Sequence, residues 1–177
     1  MINKILVAVE NSRSNQLVFD SAITLAQSTG ATLMLLHVLS EKEANYPILP
    51  TYAYYPILDD RDYQLYREKF EQYKRLGIDF LQSLTAKANE VGVDCKYSQL
   101  AGNPGRTICE LAGTWEADLI LVGSRGLKGL KEMFIGSVSN YVTHHAPCSV
   151  LIIREALDLE SELSNQNSQL EEAVSNN

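Results

Sequence analysis

Five short apolar runs recur along this chain, at residues 3–9, 32–39, 94–100, 119–122 and 148–153, with longer helix-patterned segments between them. Each run is too short for a helix, and most lack polar alternation, which is the pattern of a strand covered on both faces. The third, from Asp94 to Leu100, is patterned less cleanly and is placed near a sheet edge. Asn11 or Ser12 caps a helix whose apolar positions Leu17, Val18, Ala22, Leu25 and Ala26 recur at helical spacing, and Gly30 stops it. Asp59, Asp60 and Asp62 favour the start of a long helix with an apolar stripe through Tyr66, Phe70, Tyr73, Leu76, Ile78, Phe80, Leu81, Leu84 and Ala88. Pro104 to Trp115 carries proline in a first helical turn, and Ser137 to His145 forms a short helix. Strands alternating with helices require right-handed crossovers, so the expected fold is α/β: a doubly wound five-stranded parallel sheet with helices on both faces.

Such sheets bind ligands beyond the carboxyl ends of their strands, where strand order reverses. There the sequence offers its most specific feature: the apolar run from Ala117 to Val122 leads into two glycine turns, three cations and a helix opened by Gly136-Ser137. Glycine admits an anion close to the backbone, the first amides of a helix have no intrahelical acceptors, and the helix dipole adds positive charge. Arg125, Lys128 and Lys131 supply full charges beside them. The same fold rule makes Glu10, His37, Val38, Gly102 and the Gly123 loop candidates for one crevice.

Composition narrows the partners. The 177 residues suit one domain. No apolar run reaches the roughly 18 residues of a membrane helix, and the amino terminus lacks a signal-peptide pattern, so the expected location is the cytoplasm with no membrane partner. Formal charge is −7, but the six acids after Ile153 face Arg154 alone, leaving −5 in the tail and −2 in the body. A nearly neutral body with clustered cations fits an anionic small molecule and not nucleic acid. The tail, 154–177, reads equally as a frayed helix and as disorder. Cys95, Cys109 and Cys148 are widely spaced in apolar segments and read as buried thiols.

Ile5-Leu6-Val7-Ala8-Val9, Leu36-His37-Val38, Gly102-Asn103-Pro104, Ala117-Asp118-Leu119-Ile120 and the glycine loop together resemble the universal stress protein family. Gly123, Gly126, Gly136 and Ser137 fall on the pattern Gly, two residues, Gly, nine residues, Gly-Ser carried by its ATP-binding members. The resemblance implies a Rossmann-like nucleotide-binding domain over 1–153, with an enlarged Tyr- and Pro-rich segment at about 41–77. It implies that ATP or AMP binds with the Val38 backbone on adenine, Val9 and Glu10 near the ribose, and Gly102 in the same crevice. Gly123, Arg125 and Gly126 would approach the ribose and phosphates, and Gly136, Ser137 and Val138 would hold the terminal phosphates. Mg²⁺ or Mn²⁺ would be carried mainly by the phosphates. Glu10 departs from the aspartate of many relatives, so its ribose contact either survives with altered geometry or fills the pocket.

Several residues carry plainer roles. Asp118 is expected to accept backbone amides at the entry to its strand, His37 to be a hydrogen-bonded core residue, and His144 and His145 to cap a helix end. Seven of nine tyrosines fall between Glu41 and Gly77, beside Pro47, Pro50 and Pro56, and are expected to pack on the body, cover the crevice or enter an interface. No Ser-His-Asp order, clustered metal ligands or Walker sequence is found. Nucleotide-responsive binding without efficient turnover therefore leads. A slow ATPase or nucleotide transferase and a nucleotide-free dimerisation scaffold remain alternatives. A homodimer through the fifth apolar run is expected, because that run lies at a sheet edge, together with an unidentified protein partner.

Overall fold

In the computed structural model, which describes residues 1–10, 15–41, 46–48, 60–124 and 136–154, nine elements alternate along the chain. They are β1 (Lys4–Ala8), α1 (Asn15–Thr29), β2 (Thr32–Leu39), α2 (Asp60–Glu90), β3 (Cys95–Ala101), α3 (Pro104–Trp115), β4 (Leu119–Gly123), α4 (Ser137–His145) and β5 (Ser149–Ile153). The strands form one parallel sheet in the order β3-β2-β1-β4-β5, the doubly wound arrangement expected. β1 sits centrally, with Ile5 in register with Leu33 on one side and Leu119 on the other.

Strand side chains alternate between two buried layers. Ile5, Val7, Leu33, Leu35 and Leu121 meet Val18, Phe19 and Ala22 of α1 and Leu81, Leu84 and Ala88 of α2. On the opposite face Leu6, Leu36, Val38 and Ile120 meet Ile108 and Ala112 of α3 and Val142 of α4. Burial on both faces is why the three inner strands β1, β2 and β4 read as continuous apolar runs, whereas the edge strands β3 and β5 are partly exposed.

Two helix positions differ from the sequence expectation. Leu17 is 40% exposed because the inward line of α1 runs through Asn15, Val18, Phe19, Ala22 and Ala26, one step around the helix. Leu76 is 60% exposed because the neighbouring Gly77 occupies the contact point of α2 with the sheet. A Cβ at Gly77 would overlap Gln99 Nε2 and stand 2.7 Å from His37 Nδ1. His37 is buried there, its Nδ1 3.2 Å from Gln99 Nε2, which also donates to Lys74 O at 3.1 Å. It is thus a bonded core residue facing α2.

Asp118, entering β4 at the amino ends of the strands, accepts from the N–H groups of Asn3 at 2.7 Å and Lys4 at 3.0 Å. Those two bonds hold its carboxyl below its ordinary pKa. The three cysteines are free thiols, Cys95 buried and the other two half-buried, and burial pushes Cys95 up to about 11. At one sheet edge β5 leaves Leu151 38% exposed.

Of the Tyr-rich segment, Tyr46 packs edge-on against Phe70 and Tyr73 of α2, with ring centroids 5.9 and 5.6 Å apart. Tyr52, Tyr54 and Tyr55 lie outside the described residues, as does the acidic tail beyond Arg154. No helix among the described residues is long and apolar enough to cross a membrane.

Candidate functional site

The sheet order reverses at β1, and beyond the carboxyl ends of β2, β1 and β4 lies an open crevice of about 150 Å³. Its walls are the ends of those three strands and the first turns of α1, α3 and α4. Val9, Glu10, Val38, Gly123, Gly136, Ser137 and Val138, separated by more than a hundred residues in the chain, all line it. Arg125 and Gly126 lie outside the described residues, as do Lys128 and Lys131.

Gly102 is not part of that lining. Its φ of +151° and the 2.9 Å from a built Cβ to Thr107 Oγ1 explain the glycine differently: it turns the chain from β3 into α3. Its N–H donates to Leu39 O at 3.1 Å, and the following turn delivers Pro104 and Ile108 to the crevice wall. Ile108, Asn15, Ser40 and Ser139 are lining residues that motif reading did not single out, and Pro104, read there as a helix start, lines it too. Their shared signal is position, immediately after a strand end or in the first turns of a helix.

The α4 end of the crevice is a set of backbone donors without a partner among the described residues. Gly136 is the N-cap, with φ −54° and ψ 153°, and it brings no side chain of its own to cap the helix. The first intrahelical bond runs from Asn140 N–H to Gly136 O at 2.9 Å, so the amides of Ser137, Val138 and Ser139 precede any helical acceptor. The Ser139 hydroxyl, almost fully buried, donates to Gly123 O at 2.8 Å and fixes this turn against the end of β4. Gly123 itself approaches α1, where a Cβ would stand 3.1 Å from Val18 Cγ2. Amides arranged in this way, with the dipole behind them, attract an anion.

At the opposite end the strand register exposes a peptide edge. Val9 N–H donates to Leu36 O at 2.9 Å on the β1 side of β2, whereas Gly102 N–H meets Leu39 O on the β3 side. Alternate residues of a strand direct their peptide groups to opposite neighbours. Those of Val38, in phase with Leu36, therefore face the β1 side, past Ala8, the last β1 residue in register with β2. Between the two ends stand Glu10 and Asn15, joined by a bond from Glu10 N–H to Asn15 Oδ1 at 3.2 Å.

Histidines stay away from this crevice. His37 lies under α2, and His145 Nδ1 donates to Tyr141 O at 2.8 Å with its ring stacked on Tyr141 at the far end of α4. Among the described residues no three His, Cys, Asp or Glu side chains group to hold a metal ion.

Comparison with known proteins places the chain. Residues 1–154 match the universal stress protein family. Universal stress protein Sll1388 from Synechocystis sp. is 38% identical over 151 residues, covering 85% of this chain and 97% of that protein. Hypothetical protein MJ0577 superimposes with a TM-score of 0.70 at 21% identity, covering 89% of this chain and 99% of its own. A family protein from Arabidopsis thaliana, solved with AMP bound, gives 0.59 at 24% identity, covering 88% and 94%.

Proposed function

The chain belongs to the universal stress protein family, and from that premise we propose that it binds an adenine nucleotide, ATP or AMP, in the crevice between β1, β2 and β4. Adenine meets the peptide edge of Val38, the ribose lies over Val9 and Glu10, and the phosphates reach Gly123, Arg125 and Gly126 and then Gly136, Ser137 and Val138. The observation that carries this reading is the start of α4, whose first amides have no acceptor among the described residues and border one end of a crevice that has the peptide edge of Val38 at the other. Those ends are two strand spacings apart, about 10 Å, a span suited to a nucleoside with its first phosphate. AMP in the Arabidopsis relative is consistent with the same ligand class.

Mg²⁺ or Mn²⁺ would travel with the phosphates. The protein acts as a cytoplasmic nucleotide-responsive regulator in stress response, and occupancy alters a surface read by a protein partner. It pairs as a homodimer through the exposed apolar edge of β5. Mass spectrometry of small molecules released from freshly purified protein tests the reading: an adenine nucleotide supports it. Empty protein with no thermal shift in millimolar ATP or AMP would refute it.

A further inference from the structure

Asn15 is the first residue of α1, only 7% exposed, yet it lines the crevice. Its Oδ1 accepts from Glu10 N–H, and because a backbone N–H needs an oxygen, that bond fixes which way the amide faces. The Nδ2 group, with two hydrogens to donate, has no acceptor among the described residues. It is also not sealed away, since Thr85 Oγ1 is the one fully enclosed side-chain polar atom without a partner among those residues. A buried amide with one end satisfied and the other open to a crevice is poised for an acceptor on whatever enters.

The position of that donor follows from strand order. Val38 ends β2, Gly123 ends β4, and Glu10 with Asn15 follows β1 between them. Resting on the nucleotide reading above, a base over β2 and phosphates at α4 leave the sugar over β1. We propose that Asn15 is a specificity residue for the sugar: its Nδ2 donates to the ribose 2′-hydroxyl oxygen, so the crevice prefers a ribonucleotide to its 2′-deoxy counterpart. Losing that acceptor strands a buried donor, which corresponds to a preference of roughly 5- to 100-fold.

Titration calorimetry with AMP and 2′-deoxy-AMP tests this on the wild-type chain and on Asn15→Ala. Alanine removes the Nδ2 donor and leaves no acceptor for the 2′-hydroxyl in its place, while the lost bond to Glu10 N–H affects the two nucleotides alike. The expected result is a wild-type preference for AMP in that range, falling to near parity in Asn15→Ala. Equal wild-type affinities, or an unchanged ratio in Asn15→Ala, would overturn the proposal while leaving nucleotide binding intact. Wild-type protein that takes up neither nucleotide would overturn both. The wild-type ratio needs no variant, so poor folding of Asn15→Ala does not remove the test.

Discussion

The hydroxyl of Ser139 donates to the carbonyl of Gly123 across 2.8 Å, bridging the first turn of α4 and the last residue of β4. The hydroxyl is almost fully buried and Gly123 is half-buried, so removing the hydroxyl takes a bond from a carbonyl that water replaces only in part. Ser139→Ala is expected to cost about 0.5–1.5 kcal/mol, measured as a lower urea midpoint with unchanged slope. Nucleotide affinity should fall with it, because the same bond aims the α4 amides.

Gly136 adopts backbone angles open to any residue, so a larger side chain there meets little local strain. Gly136→Val should therefore leave thermal stability within about 1 kcal/mol while its branched side chain crowds the Ser137 and Val138 amides. Adenine nucleotide affinity should drop more than about tenfold, on the order of the 1.4 kcal/mol carried by one good anion contact. Calorimetry on the folded variant reads this directly, and undiminished affinity would move the phosphates elsewhere.

Acid should weaken the amino ends of the sheet through Asp118. Its folded pKa lies below its ordinary value of 3.8, because Asn3 and Lys4 N–H groups bond the charged form. The stabilisation is thus complete above the unfolded value and is lost as pH falls through the folded one. Asp118→Asn should be less stable than wild type at neutral pH, with the two curves converging at acid pH. Urea titrations between about pH 2 and 7 check the convergence, and a parallel offset at every pH would exclude this origin.

Gly77 seats α2 against His37 and Gln99 with no room for a methyl group. Gly77→Ala should destabilise the fold by about 1–3 kcal/mol despite the higher helix propensity of alanine. A lower melting temperature with more surface accessibility at β3, read by amide exchange, is the expected signature.

Much of this architecture is legible in the chain because strands buried on both faces cannot hide. The limits of β2, α3 and α4 coincide with the sequence reading, and β1, β3 and β5 differ from it by a residue or two at their ends. Leu17 and Leu76 were less legible: composition says that a helix has an inward line, but which of two adjacent residues lies on it is settled by the opposing surface. In the crevice, Val9, Glu10, Val38, Gly123, Gly136, Ser137 and Val138 converge because topology fixes where strands end. Gly102 carries a glycine for a turn, which spacing does not distinguish from a glycine for close approach. Asn15, Ser40 and Ser139 are small polar residues beside helix or strand termini, and nothing in their neighbours' sequence separates a wall residue from an ordinary cap.

Because the sheet separates its two helical layers, α1 and α2 have few routes by which to feel α3 and α4. The crevice is one place where α1 from one layer and α3 and α4 from the other border the same space. An occupant there would act as a keystone, and its departure would loosen both sides of the molecule in a single event.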